Sequence, residues 1–156
     1  YANILVIQSF TLNRVYTEWY RAKGYSFTIT SSTAYDQKFI YGRNIYSNID
    51  RLVDSIFANY LSRPGVRQPI FTSYCDGNRV SCQGLSQWGS KYLGDQGYSA
   101  IEIIRYYYGN DMYINAAQAI SGTVIKMITV SQKFMPAKMI KEITNFKKAI
   151  KNSSGQ

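Results

Sequence analysis

At 156 residues, 46% apolar and 17% charged, the chain has the size and composition of a globular protein with a real core, which excludes an intrinsically disordered segment. No run of about eighteen apolar residues occurs, so no membrane-spanning helix is expected, and Arg14 and Glu18 interrupt the opening residues too early for a secretory signal peptide. With no histidine and two cysteines a four-ligand zinc site is out of reach and no metal or cofactor is expected, while the net charge of +9 leaves nucleic acid, anionic lipid and anionic wall polymer open as partners.

Residues 2–23 read as a helix closed by Gly24. Leu5, Leu12, Val15, Tyr16 and Trp19 fall on one broad face at about 100° per residue. Gln8 shares that face, and its amide either satisfies local backbone groups or points into a site. Arg14 lies off the stripe, towards solvent or a cleft wall. Residues 25–30 alternate Tyr, Phe and Ile with Ser and Thr, the pattern of a half-buried strand. A polar connection over 31–37 follows, leading to a further strand near 38–41. Its Asp36 and Gln37 either make turn chemistry with their own backbone or hydrogen-bond sugar hydroxyls and N-acetyl groups.

Residues 47–62 read as a second helix, opened by a box-like cap at Ser47-Asn48-Ile49-Asp50 and stopped by Arg63-Pro64-Gly65. Ile49, Leu52, Val53, Ile56, Phe57 and Tyr60 form its core stripe. A strand is expected over 69–75, with Asp76-Gly77-Asn78 as a turn. Cys75 and Cys82 flank that turn, either as two reduced thiols or as a disulfide, which on chain-entropy grounds would stabilise by about 2–3 kcal/mol. An extracytoplasmic address would favour the bond.

The densest punctuation is Gly84-Leu85-Ser86-Gln87-Trp88-Gly89. Glycines there permit a turn, or let a backbone or ligand come close. Ser86 is placed to cap a short helix with Trp88 and Leu93 on its inner face. Trp88 is either a plug of the core or, with Gln87, part of a groove shared with Tyr74, Gln37 and the polar side of the first helix. Ser99-Ala100-Ile101-Glu102 is a capping box, and the helix it opens should end at Gly109-Asn110 in the left-handed conformation. A closing strand is expected at 111–114.

The texture then changes. Residues 115–156 carry seven lysines and one acid, six of the nine net positive charges. An amphipathic helix is expected at about 136–151, with Met139, Ile143, Phe146 and Ile150 on one face. Such a helix lies on an anionic membrane or packs on its own domain or a partner. The expected architecture is therefore α+β. One domain over 1–114 packs helices on a small, mainly antiparallel sheet, and a basic helical extension occupies 115–156. Fifteen tyrosines are either amphipathic filling or a surface for stacking on sugar rings.

Gly84-Leu85-Ser86-Gln87-Trp88-Gly89, followed by Gly97-Tyr98 and Ile103-Ile104-Arg105-Tyr106-Tyr107-Tyr108-Gly109, resembles the closing part of the stage II sporulation protein D family. That family includes sporulation lytic transglycosylases and amidase enhancers of bacterial cell walls, and the resemblance spans roughly residues 2–114. It implies peptidoglycan glycan strands as the ligand, other cell-wall proteins as possible partners, no nucleic acid, and an extracytoplasmic location. It also implies a cleft lined by an amide, matched by Asn3 or Gln8, by Arg14, and by the Asp36-Gln37 segment. The family's catalytic glutamate would stand ahead of Tyr1, outside this chain.

The family's reaction cuts the glycan without water. One carboxylic acid protonates the glycosidic oxygen and then, as base, helps the sugar's own hydroxyl to close an anhydro ring, which requires a carboxyl with a raised pKa. Of the nine acids, Glu102 is a cap, Glu18 is solvated, Asp50 and Asp54 sit on the exposed side of a helix, and Asp76 and Asp95 belong to turns. Asp36 alone neighbours a plausible site, in a polar loop that gives no reason for such a shift, and no general acid can be named. Three readings follow: a glycan-cleaving domain without its glutamate, a non-catalytic glycan-binding or amidase-enhancing module, or a basic module binding nucleic acid or membrane through its tail.

Overall fold

The structure, a computed structural model, describes residues 1–40 and 44–117. The fold class is α+β. Helix α1 spans Ala2–Tyr16, α2 Ser47–Ser55, α3 Gln87–Asp95 and α4 Ala100–Tyr108. Strands β1 (Asn59–Ser62) and β4 (Tyr113–Ala116) pair antiparallel, with Leu61 opposite Ile114. Strands β2 (Tyr74–Cys75) and β3 (Leu85–Ser86) make a short parallel pair. The described residues fall into two units, one formed by Tyr1–Lys38 with Asn59–Ala116 and the other containing α2.

The first unit is built around α1. Its sequence Ile4-Leu5-Val6-Ile7 is apolar on every side, and burial continues without a break from Ile4 to Thr11. A single apolar stripe was expected; four consecutive aliphatic residues demand enclosure on all faces instead. Enclosure leaves polar side chains of the helix inside, and they satisfy the irregular chain wrapped around it. Ser9 donates to the Leu5 carbonyl and accepts from Leu61 N–H at 2.8 Å. Asn13 donates to the Pro69 carbonyl, and the Val6 carbonyl accepts from the Thr72 hydroxyl. These bonds, together with the isolated Ile70 N–H bond to the Leu61 carbonyl, spread the partners of Pro69, Ile70 and Thr72 over α1 and β1. Residues 69–73, read as strand, therefore remain irregular, and ladder pairing is confined to Tyr74 and Cys75.

The first helix stops earlier than expected. Thr17 caps it, its hydroxyl bonding the Asn13 carbonyl, and Glu18 takes a positive φ of 47°. Gly24 closes only a short 3-10 turn, Arg21–Lys23, at a φ of 86°. Residues 25–30 are not a strand either. Tyr25 and Phe27 pack instead on Tyr20, with ring centroids 6.0 and 4.7 Å away. Their alternation thus places rings on a local cluster and not in a sheet. Residues 38–40 form no strand.

In the second unit α2 opens at Tyr46 without a side-chain cap, so the box-like cap expected from Ser47 is absent. Val53 and Ile56 are buried, as the stripe predicts, but the helix ends at Ser55. The segment expected to complete it, Asn59–Ser62, is β1 of the first unit. Tyr60 and Leu61 suit either state, and the ladder to β4 decides.

Helix α4 follows its capping box. Ser99 Oγ accepts from Glu102 N–H, and the Glu102 carboxylate accepts from Ser99 N–H at 2.7 Å. Ile103 and Ile104 are buried beneath it. Gly109 has a positive φ of 101°, but its ψ of 156° is extended, so the helix does not close in the left-handed helical conformation. The chain then returns through Met112, buried, into β4, which takes up only Tyr113 and Ile114 of the expected closing strand and runs on to Ala116; Asp111 and Met112 lie ahead of it, outside the strand. The basic helix expected at 136–151 lies outside the described residues.

Candidate functional site

Residues 73–92 form the best-defined surface feature of the first unit. Cys75 and Cys82, seven residues apart, are joined in a disulfide with their Cα atoms 5.4 Å apart. Inside that loop the Asp76 carboxylate accepts from the Asn78 and Arg79 N–H groups, each at 3.1 Å. Partial burial pulls its pKa up, yet the backbone donors of Asn78, Arg79 and Val80 prevail and hold it below the usual value. The loop leads through Gly84 into β3, whose Cys75–Ser86 register sets the start of α3 beside the disulfide.

Ser86 caps α3 as expected, accepting from Gly89 N–H at 2.9 Å. The next donor, Trp88 N–H, is taken by the Asp76 carbonyl at 3.0 Å. A Cβ at Gly84 would collide with the Ser73 carbonyl, and one at Gly89 with the Tyr107 hydroxyl. The glycines therefore admit this protein's own atoms and do not open the backbone to a ligand. Tyr108 completes the support: its hydroxyl donates to the Ser73 carbonyl at 2.6 Å and accepts from Leu85 N–H. Burial raises the Tyr74, Tyr107 and Tyr108 phenols above their ordinary pKa.

Trp88 is 56% exposed, which removes the core-plug alternative and corrects its expected place on the inner face of α3. Among the described residues no ring or cation stacks on it. Gln87 is half-buried, and its side-chain amide bonds no described residue. Tyr92, 64% exposed, lies four residues on and hence on the same face of the helix. An indole and a phenol thus share one exposed face of α3, and the Gln87 amide stands at the start of the same helix. Sequence reading missed Tyr92, although the i,i+4 spacing from Trp88 was its signal.

The remaining expected site residues are placed differently. Arg14 is buried rather than directed to solvent or a cleft wall; its Nε meets Asp36 at 2.8 Å. The Asp36 side chain is fully enclosed and also accepts from the Tyr20 hydroxyl, Thr30 N–H and the Thr30 hydroxyl. Gln37 accepts from Thr11 and donates to the Ile7 carbonyl, while Gln8 donates to the Asn59 carbonyl at 2.7 Å. These four side chains hold the fold together with the atoms that a sugar would need. Tyr74 sits between the two regions, edge-on to Phe10 with centroids 6.3 Å apart. Asn3, the other match for the family's amide, does reach α3. It donates to Ser90 Oγ at 2.5 Å, and its Oδ1 is buried with no hydrogen-bond partner among the described residues.

Other acids among the described residues are engaged or solvated. Asp95 pairs with Lys91 and Asp111 with Arg63, Glu18 is exposed, and the two bonds from Ser99 lower the Glu102 pKa. Asp76 and Glu102 are both held below the ordinary carboxyl value, the opposite of what a general acid requires. Among the described residues, no helix is long and apolar enough to cross a membrane. Compared with protein-family models, with curated proteins and with solved structures, the chain matches none.

Proposed function

We infer that the chain is a carbohydrate-binding module that holds peptidoglycan glycan strands on the surface formed by Gln87, Trp88 and Tyr92. The observation that carries this reading is the exposure of Trp88 on a turn fastened by a disulfide, a cap and packed glycines. An indole that costs its surroundings no ordering on binding suits the flat C–H face of a pyranose. The adjacent Gln87 amide has both a donor and an acceptor for an acetamido group. The resemblance to the sporulation protein D family supports the same ligand, and the disulfide supports an extracytoplasmic location. The placement of the described acids in caps, turns and ion pairs supports holding the glycan over cutting it, consistent with a glycan-binding or amidase-enhancing module.

Titration with soluble N-acetylglucosamine–N-acetylmuramic acid oligomers tests the reading. Binding should persist at 0.5 M salt, where an attachment driven by the lysines would fade, since polyanion affinity falls steeply with salt. Gln87→Ala should weaken it by about tenfold, the loss expected for a hydrogen bond worth about 1.4 kcal/mol. Absence of saturable binding, or binding abolished by salt and unchanged in Gln87→Ala, overturns it.

A further inference from the structure

We propose that the loop closed by Cys75 and Cys82 is a positioning clamp for Trp88, so that opening the disulfide weakens glycan binding while the fold survives. The inference rests on the glycan-binding reading above and adds how that site is held.

Trp88 is tied to the loop through backbone. Its N–H ends on the Asp76 carbonyl, one residue from Cys75. Cys75 stands opposite Ser86 in the β2–β3 register, and Ser86 is the cap of the turn that carries Trp88. Gly77, at a φ of 75°, lies so close to Ser86 that a side chain there would strike the serine. The Asp76 carboxylate in turn fixes the turn at Asn78 and Arg79. The bridge therefore constrains the residues that receive the first turn of α3.

The rest of α3 is held independently. Asn3 on α1 donates to Ser90, and Ser90 Oγ donates to the Gln87 carbonyl at 2.8 Å. Leu85 is fixed by Ser73 and Tyr108. None of these bonds involves the disulfide loop, so loss of the bridge should loosen the turn at Trp88 before it loosens the helix. Pre-organised binding surfaces lose affinity when their ordering must be supplied on binding.

Opening requires a dithiol reductant. Its thiolate attacks one protein sulfur to form a mixed disulfide, and its second thiol closes a ring and releases the protein. Two electrons and two protons pass to the protein, which ends with two cysteine thiols.

The two tryptophans provide an internal comparison. In the full chain labelled with 5-fluorotryptophan, two fluorine resonances are expected, assigned by Trp88→Phe. Treatment with dithiothreitol should shift or broaden the Trp88 resonance and leave that of Trp19 in place. Affinity for the glycan oligomers should fall about tenfold, with helical circular dichroism retained. Cys75→Ala/Cys82→Ala should reproduce the reduced state. An unmoved Trp88 resonance overturns the proposal, and so does a moved resonance with unchanged affinity. Collapse of both resonances with loss of circular dichroism also overturns it, because the bridge would then be a general staple. If the oxidised protein binds no glycan, the glycan reading fails, and the clamp fails as a device for glycan binding; the resonances then report only whether the loop orders Trp88.

Discussion

The two tryptophans of the chain have opposite surroundings. Trp19 is held by two cations: the Arg14 guanidinium stands over its ring 4.0 Å from the centre and the Lys23 ammonium 3.5 Å. Tyr20 closes its edge at 4.8 Å. Trp88 has its backbone fixed and its ring open. The first ring is part of how the structure is held, because a desolvated cation on an indole face contributes up to about 2 kcal/mol. The second is exposed and makes no ring or cation contact with the described residues. Identical residue types thus divide into scaffold and surface, and the division follows from what lies on the ring faces and not from the residue itself.

The comparison is broken most severely at the ion pair beneath Trp19. Arg14 and Asp36 have side chains 7% and 0% exposed, and removing one charge leaves the other buried and uncompensated. Asp36→Asn should cost about 3–5 kcal/mol in urea unfolding. Trp19→Ala should cost about 2 kcal/mol through lost burial and lost cation contacts. A change below about 0.5 kcal/mol for Asp36→Asn would mean that the Arg14 cluster is not the structural anchor described.

On the Trp88 side the sensitive positions are backbone contacts. Gly89→Ala should destabilise by about 1–3 kcal/mol, because its methyl group meets the Tyr107 hydroxyl. Gly89→Ala/Tyr107→Phe should recover part of that loss, whereas additive effects of the two substitutions would place the strain elsewhere. The smallest effect is electrostatic. The Glu102 carboxyl is depressed in the fold by its bonds to Ser99, so its contribution is complete above its unfolded pKa and is lost as pH falls through the folded value. The melting temperature of Glu102→Gln should therefore lie below that of the parent at neutral pH and converge with it in acid. A gap that widened towards low pH would reverse the sign.

Local signals were the legible ones. The Ser99–Glu102 box, the Ser86 cap and the Cys75–Cys82 span are written within a few residues and appear as read. The elements that differ are those whose partners are distant in sequence. Asn59–Ser62 is helical by spacing and a strand by its pairing with Tyr113–Ala116. Residues 69–73 look like strand, but Asn13 and Val6 of a helix hold Pro69 and Thr72. The site divided on the same line. The exposure of Trp88 accompanies a turn that the sequence marks with glycines and a cap. Arg14 looked available, and with it Asp36 and Gln37, because the burial of the first helix on all its sides could not be seen.

The central claim is that Trp88 serves the ligand and not the fold. Co-sedimentation of parent and Trp88→Ala with purified, protein-free peptidoglycan, alongside their melting temperatures, tests it most directly. The account predicts that the parent binds, and that Trp88→Ala loses about tenfold or more in affinity, the loss typical of a binding hot spot at 1.4 kcal/mol or above. Its melting temperature should stay close to that of the parent. Equal binding by the two proteins, or unfolding of Trp88→Ala under conditions where the parent is stable, contradicts it.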